Sequence, residues 1–77
     1  MAARTPSIRV LFGRRVRQLR DGQELTQEKL AFRSEMDRSY VGQVERGEVN
    51  ISIDNIGKLA RGLRVPAVRL FDFDSLE

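Results

Sequence analysis

Apolar residues recur at three- and four-residue intervals along most of the chain, and no segment alternates convincingly with period two. Ile8, Phe12, Val16 and Leu19 form the first series, with arginines filling the other faces. Thr5-Pro6 suits a helix start, Thr as cap and Pro at the first helical position, so a helix is predicted from about Pro6 to Arg20. Asp21-Gly22-Gln23 ends it, with Gly22 suited to a left-handed stop. Thr26 caps a second helix, which carries Leu30 and Ala31 inward and ends near Ser34. Asp37 caps a third, from about Arg38 to Arg46, and Gly47 stops it. Ser52 caps a fourth, whose apolar stripe is Ile53, Ile56, Leu59, Ala60 and Leu63. Val65-Pro66 opens a last short helix, about Pro66 to Phe71, and a frayed acidic tail follows. The expected fold class is all-α, a bundle of five short helices.

The second and third helices read as a pair joined by a tight turn, within LTQEKLAFRSEMDRSYVGQVER, residues 25–46. Val41 and Val44 make one side of the third helix apolar. Its other side shows solvent a row of side chains suited to DNA: Arg38, Ser39, Tyr40, Gln43 and Arg46. A short helix anchored on one face and loaded with fork-shaped donors on the other is what reading a major groove requires. Arg38 stands one residue past the cap, where it can fork onto O6 and N7 of a guanine. The competing reading is a solvated Arg38 paired with Asp37 or Glu35.

Length and charge narrow the picture. The 77 residues fit a single domain, with a core small enough that a partner subunit is the expected source of extra stability. There is no Cys and no His, which removes disulfides, thiolate metal sites and the commonest acid–base group. No cofactor or metal is expected, and an enzyme is rejected: no Gly-rich phosphate loop and no carboxylate cluster at metal spacing is present. Lys plus Arg number 14 against 11 Asp plus Glu, a formal +3. Residues 1–20 carry Arg4, Arg9, Arg14, Arg15, Arg17 and Arg20 and no acid, whereas Asp72, Asp74 and Glu77 lie near the end with no base beside them. Only Lys29 and Lys58 are lysines; genome composition explains that ratio as well as phosphate binding does, but not the asymmetry. No apolar run approaches membrane-spanning length, and the N-terminus lacks a signal peptide's apolar centre, so a soluble, cytoplasmic and nucleoid-associated protein is expected.

From about Phe12 to Phe71 the chain resembles the Cro and phage-repressor type of helix-turn-helix domain, the XRE family. The residues that carry the resemblance are FGRRVRQLR, LTQEKLA, DRSYVGQVERG and ISIDNIGKLARGL, followed by V-P and LF. DRSYVGQVERG is most similar to the controller proteins of restriction–modification systems. The resemblance implies a lambda-repressor-like bundle, with the helix-turn-helix core over about residues 8–71 and the tail over 72–77. Two positions depart from the family pattern. Glu35 stands where the turn between the second and third helices usually has Gly, and Arg64 where a Gly usually ends the fourth helix; Gly62 lies inside that helix instead.

The resemblance also distributes roles. Ser39 and Gln43 occupy positions that contact bases in similar repressors, beside Arg38; the alternative is that they are simply exposed polar residues. Gln27, Tyr40, Arg46, Asn50 and Ser52 are the candidate phosphate contacts. Gln27 opens the second helix, where the positive end of the dipole seats an anion, and its side chain can also brace the third helix. Tyr40 either reaches a phosphate or only closes the core edge, and Asn50 and Ser52 have turn formation and capping as their plain alternatives. Arg20 and Glu45 are expected to form a structural ion pair, as in related domains. Val65, Val68, Leu70 and Phe71, with Phe73, crowd the end of the chain and are read as a two-fold dimer interface; the alternative is that Phe71 closes the monomer core.

The expected function is a homodimeric, sequence-specific regulator on a palindromic operator, with double-stranded DNA and a second copy as partners. RNA polymerase, through Glu28 on the second helix, is a further partner that the resemblance suggests; the plain alternative, a solvated surface Glu28, is the favoured one. The alternative is an antitoxin or protein-interaction module whose acidic, aromatic end (FDFDSLE) covers a toxin while the same chain binds its own promoter.

Overall fold

The computed structural model describes residues 6–76. It contains four α-helices: α1 (Ile8–Gly22), α2 (Gln27–Ser34), α3 (Arg38–Glu45) and α4 (Ile53–Leu63). Two short 3-10 turns follow, Ala67–Phe71 and Phe73–Ser75, and no strand occurs among the described residues. The predicted fifth helix is therefore a tighter 3-10 turn. None of these helices is long and apolar enough to cross a membrane.

Hydroxyl caps start three of the helices. Ser7 Oγ accepts from Val10 N–H (3.4 Å), Thr26 Oγ1 from Lys29 N–H (3.0 Å) and Ser52 Oγ from Asn55 N–H (3.1 Å). Thr5, the expected first cap, lies outside the described residues; α1 begins after Ser7, two residues beyond the expected start at Pro6. Asp37 has the extended backbone of a cap (φ −72°, ψ 144°) but its carboxylate makes no capping bond.

All four helices end alike. An amide one or two residues past the helix cap reaches back to a carbonyl five residues earlier: Leu25 to Arg20 (3.1 Å), Met36 to Ala31 (3.0 Å), Glu48 to Gln43 (2.9 Å) and Val65 to Ala60 (3.0 Å). This closure needs one left-handed residue. Gly47 supplies it after α3 at φ 75°, but Glu24, Glu35 and Arg64 supply it elsewhere, at φ 57–58°. Gly22 is helical instead, and the left-handed position falls on Glu24. A non-glycine residue held there costs about 1 kcal/mol.

One core joins the elements. Phe12 and Val16 of α1, Leu30 and Ala31 of α2, Val41 and Val44 of α3, and Leu59, Ala60 and Leu63 of α4 are buried in it. Two glycines set the helix spacing. A Cβ on Gly13 would run into the Val44 and Glu45 carbonyls, the latter at 2.7 Å, so α1 seats directly under the end of α3. Gly62 allows the same closeness between α4 and α2, where Ser34 and Leu30 Cδ1 occupy the space. Ile53, expected in the α4 stripe, is 81% exposed; as the first helical residue it falls on the outer side.

The end of the chain is tied down, not frayed, as far as the described residues run. Leu70 is fully buried in the core, so its expected place on a dimer surface is corrected: it has no surface to offer. Phe12 and Phe71 pack at a tilt, 5.2 Å between ring centres, and Phe71 meets Phe73 at 6.1 Å. Arg15 does not fill an outer face of α1 as its neighbours do. It is 4% exposed, donates from Nε to the Arg69 carbonyl (2.8 Å) and lies 3.7 Å from the Asp72 carboxylate. Gln18 adds a bond to the Ser75 carbonyl (2.9 Å).

Candidate nucleic-acid interface

Helix α3 is packed from behind by α1 and α2. Val41 and Val44 are the apolar pins, both essentially inaccessible, and Ala31 is small enough to let α2 approach them. On the opposite side Arg38, Ser39, Gln43 and Arg46 are exposed together. Residues 39 and 43 are one turn apart and share a face. Glu35 and Asp37 form no ion pair with Arg38, whose guanidinium is free among the described residues.

Glu45 is the hub beneath this face. Its carboxylate takes two bonds from the Arg20 guanidinium, from Nε at 2.6 Å and from Nη2 at 3.0 Å. Gln27 Nε2 donates to the same carboxylate at 3.0 Å. Arg20 Nη1 donates to the Leu25 carbonyl (2.7 Å) and lies 3.4 Å from Asp21. The bond to Glu45 raises the Arg20 pKa further above its ordinary value, against the opposing effect of burial. Helices α1, α2 and α3 therefore meet in one buried polar knot. The side chain of Gln27 is a brace within that knot, and what it presents outward is the positive start of α2.

The remaining candidates surround α3. Tyr40 is half-buried, and its hydroxyl accepts from Asn55 Nδ2 at 3.1 Å. That leaves the hydroxyl hydrogen free to donate. The sequence does not single out Asn55; a polar residue three past a cap reads as an ordinary first-turn residue. Ser52 likewise accepts a capping bond while its own hydrogen stays available. Asn50 is exposed in the loop before it. Arg46, just past α3, is held by Glu48 in two contacts of 2.8 and 3.3 Å. The contact draws the Glu48 carboxyl below its ordinary pKa and raises that of Arg46.

Away from this face, Val68 is 73% and Phe71 41% exposed, with Val65 half-buried beside them. Ile8, Phe12, Ile51, Ile56 and Phe71 line an apolar notch of about 140 Å³. Among the described residues no group of three or more acidic side chains converges as a metal site would require.

The arrangement has close counterparts. The helix-turn-helix family HTH_3 matches residues 16–70. Control protein C.BamHI of Bacillus amyloliquefaciens is 44% identical over 73 residues, covering 94% of this chain and 90% of that one. Control protein C.MunI of a Mycoplasma species is 34% identical over 65 residues, covering 83% and 88%. The crystal structure of the restriction–modification controller protein C.AhdI from Aeromonas hydrophila superposes with a TM-score of 0.81 at 54% identity, covering 82% of this chain and 96% of that one. With family, relatives and fold in agreement, the chain belongs to the XRE-type helix-turn-helix family, as a DNA-binding regulator of the restriction–modification controller type.

Proposed function

We propose that the protein binds a palindromic operator as a homodimer, each copy laying α3 in a major groove, with half-sites about 10 bp apart. The observation that carries this reading is α3 itself: pinned by Val41, Val44 and Glu45 from behind, it leaves Arg38, Ser39 and Gln43 exposed as one group. Arg38 forks onto a guanine, Gln43 pairs with an adenine and Ser39 bonds whichever base edge lies above it. The backbone N–H groups at the start of α2, with Tyr40, Arg46, Asn50 and Ser52, fix the register on phosphates. Val65, Val68 and Phe71 face the second copy. The genes served, carried over from the named relatives, are those of a restriction–modification system.

Selection of bound fragments from a random DNA library tests the reading in one step. The expected product is a symmetric site. Arg38→Ala should then lose about 1–3 kcal/mol of discrimination at one base pair per half-site. Fragments without symmetry, or unchanged discrimination in folded Arg38→Ala and Gln43→Ala variants, would refute it. Light scattering that finds a monomer at micromolar concentration removes the dimer.

A further inference from the structure

The turn that ends α3 brings an anion to the place where a DNA phosphate is expected. Gly47 is left-handed and Glu48 N–H returns to the Gln43 carbonyl, so the chain reverses within two residues. The Glu48 carboxylate then meets the Arg46 guanidinium edge to edge, Nε to Oε2 at 2.8 Å and Nη2 to Oε1 at 3.3 Å. The third nitrogen, Nη1, lies over bare Gly42, 3.1 Å from where a Cβ would stand. Gln27 Oε1 approaches the same point at 3.7 Å, which puts the Arg46 fork next to the start of α2. Both members of the pair are more than half exposed, 59% and 51%, so the contact is open to an arriving duplex. A carboxylate and a phosphate offer a guanidinium the same two-oxygen edge.

We propose that Glu48 is a built-in stand-in for a DNA phosphate: it holds the Arg46 fork in docking geometry and gives way to the phosphate when α3 enters the groove. The proposal rests on the DNA-binding reading above. An exposed pair of this kind is weak, so exchange is easy. Holding the long Arg46 side chain in advance spares the ordering cost at the moment of binding. The displaced Glu48 stays near the phosphate, so Arg46 and Glu48 together add no net positive charge to the contact. The exchange therefore contributes little to salt dependence.

The test uses the whole chain and a mixed-sequence duplex, so no operator need be known. Glu48→Gln keeps the shape and removes the charge. Binding should tighten about threefold or more, and the log–log salt slope should steepen by about 0.9, one more phosphate neutralised. In an Arg46→Gln background the same change should yield less than half of that gain. Equal gains in the two backgrounds overturn the proposal, because Glu48 then acts as bulk charge and not through Arg46. Absence of any gain in the parent overturns it as well. An unaltered protein that binds no duplex even at low salt refutes the DNA-binding reading and this proposal with it, a result distinct from the other two. Superimposable melting curves of the four proteins confirm that each is folded.

Discussion

Glu45 and Arg46 are neighbours in the chain, and each belongs to an Arg–Glu pair. In the inner pair Arg20 and Glu45 are each 9% exposed, joined by two bonds, braced by Gln27 and closed over by α1. In the outer pair Arg46 and Glu48 lie open on the surface, two residues apart, with a similar two-pronged geometry. The chemistry is the same and the setting is opposite. Once the inner pair is taken out of water, neither charge can be left alone without a large desolvation cost, so it works as a fixed joint. Water can replace either partner of the outer pair at little cost, so it works as a contact that can be exchanged. The end of α3 and the turn after it thus carry both the part that must not move and the part that is free to change partners.

The sharpest way to break this contrast is Arg20→Ala. It strands the Glu45 carboxylate and should cost about 3–5 kcal/mol, most of the stability of a domain this small. A thermal melt unchanged by it would show that the inner pair is no joint. Gly13→Ala should come next, at about 1–3 kcal/mol, because the new methyl drives α1 off the carbonyls of Val44 and Glu45. Its urea midpoint measures the effect, and an unshifted midpoint would mean that α1 is not seated as described. Gln27→Ala removes a single donor to Glu45 and should cost about 1 kcal/mol, read the same way. The smallest effect belongs to the outer pair. Glu48→Gln should leave the urea midpoint where it is at both low and high salt, and a clear loss of stability would erase the distinction between the two pairs.

The helix scaffold is readable in the chain because its signals are local. Thr26 and Ser52 are hydroxyl residues directly before apolar-periodic segments, and both cap helices. Glu35 and Arg64 stand out as wrong-looking residues at helix ends, and the left-handed backbone there keeps the turn despite its cost. The features that escape a linear reading are made by distant segments. Nothing near Arg15 distinguishes it from Arg14 and Arg17; its burial depends on a carbonyl 54 residues away. Gly13 looks like a weak point in a helix until α3 is laid across it. Leu70 belongs to an apolar cluster that looks too large to enclose, and only the 3-10 turn shows which member points inward. At the candidate interface, the exposed row on α3 follows from helical periodicity alone. The roles of Asn55 and Glu48 do not, since both depend on where a neighbouring turn or helix brings them.

The contact of Gly13 with the end of α3 has a consequence for how targets are tolerated. The last turn of α3 rests directly on Gly13, so a tilt toward α1 would drive the Val44 and Glu45 carbonyls into its backbone. If α3 reads the groove as proposed, a mismatch would be met mainly by the double helix, which would bend, twist or narrow a groove. Operators that deform cheaply would be preferred even at steps that no side chain touches.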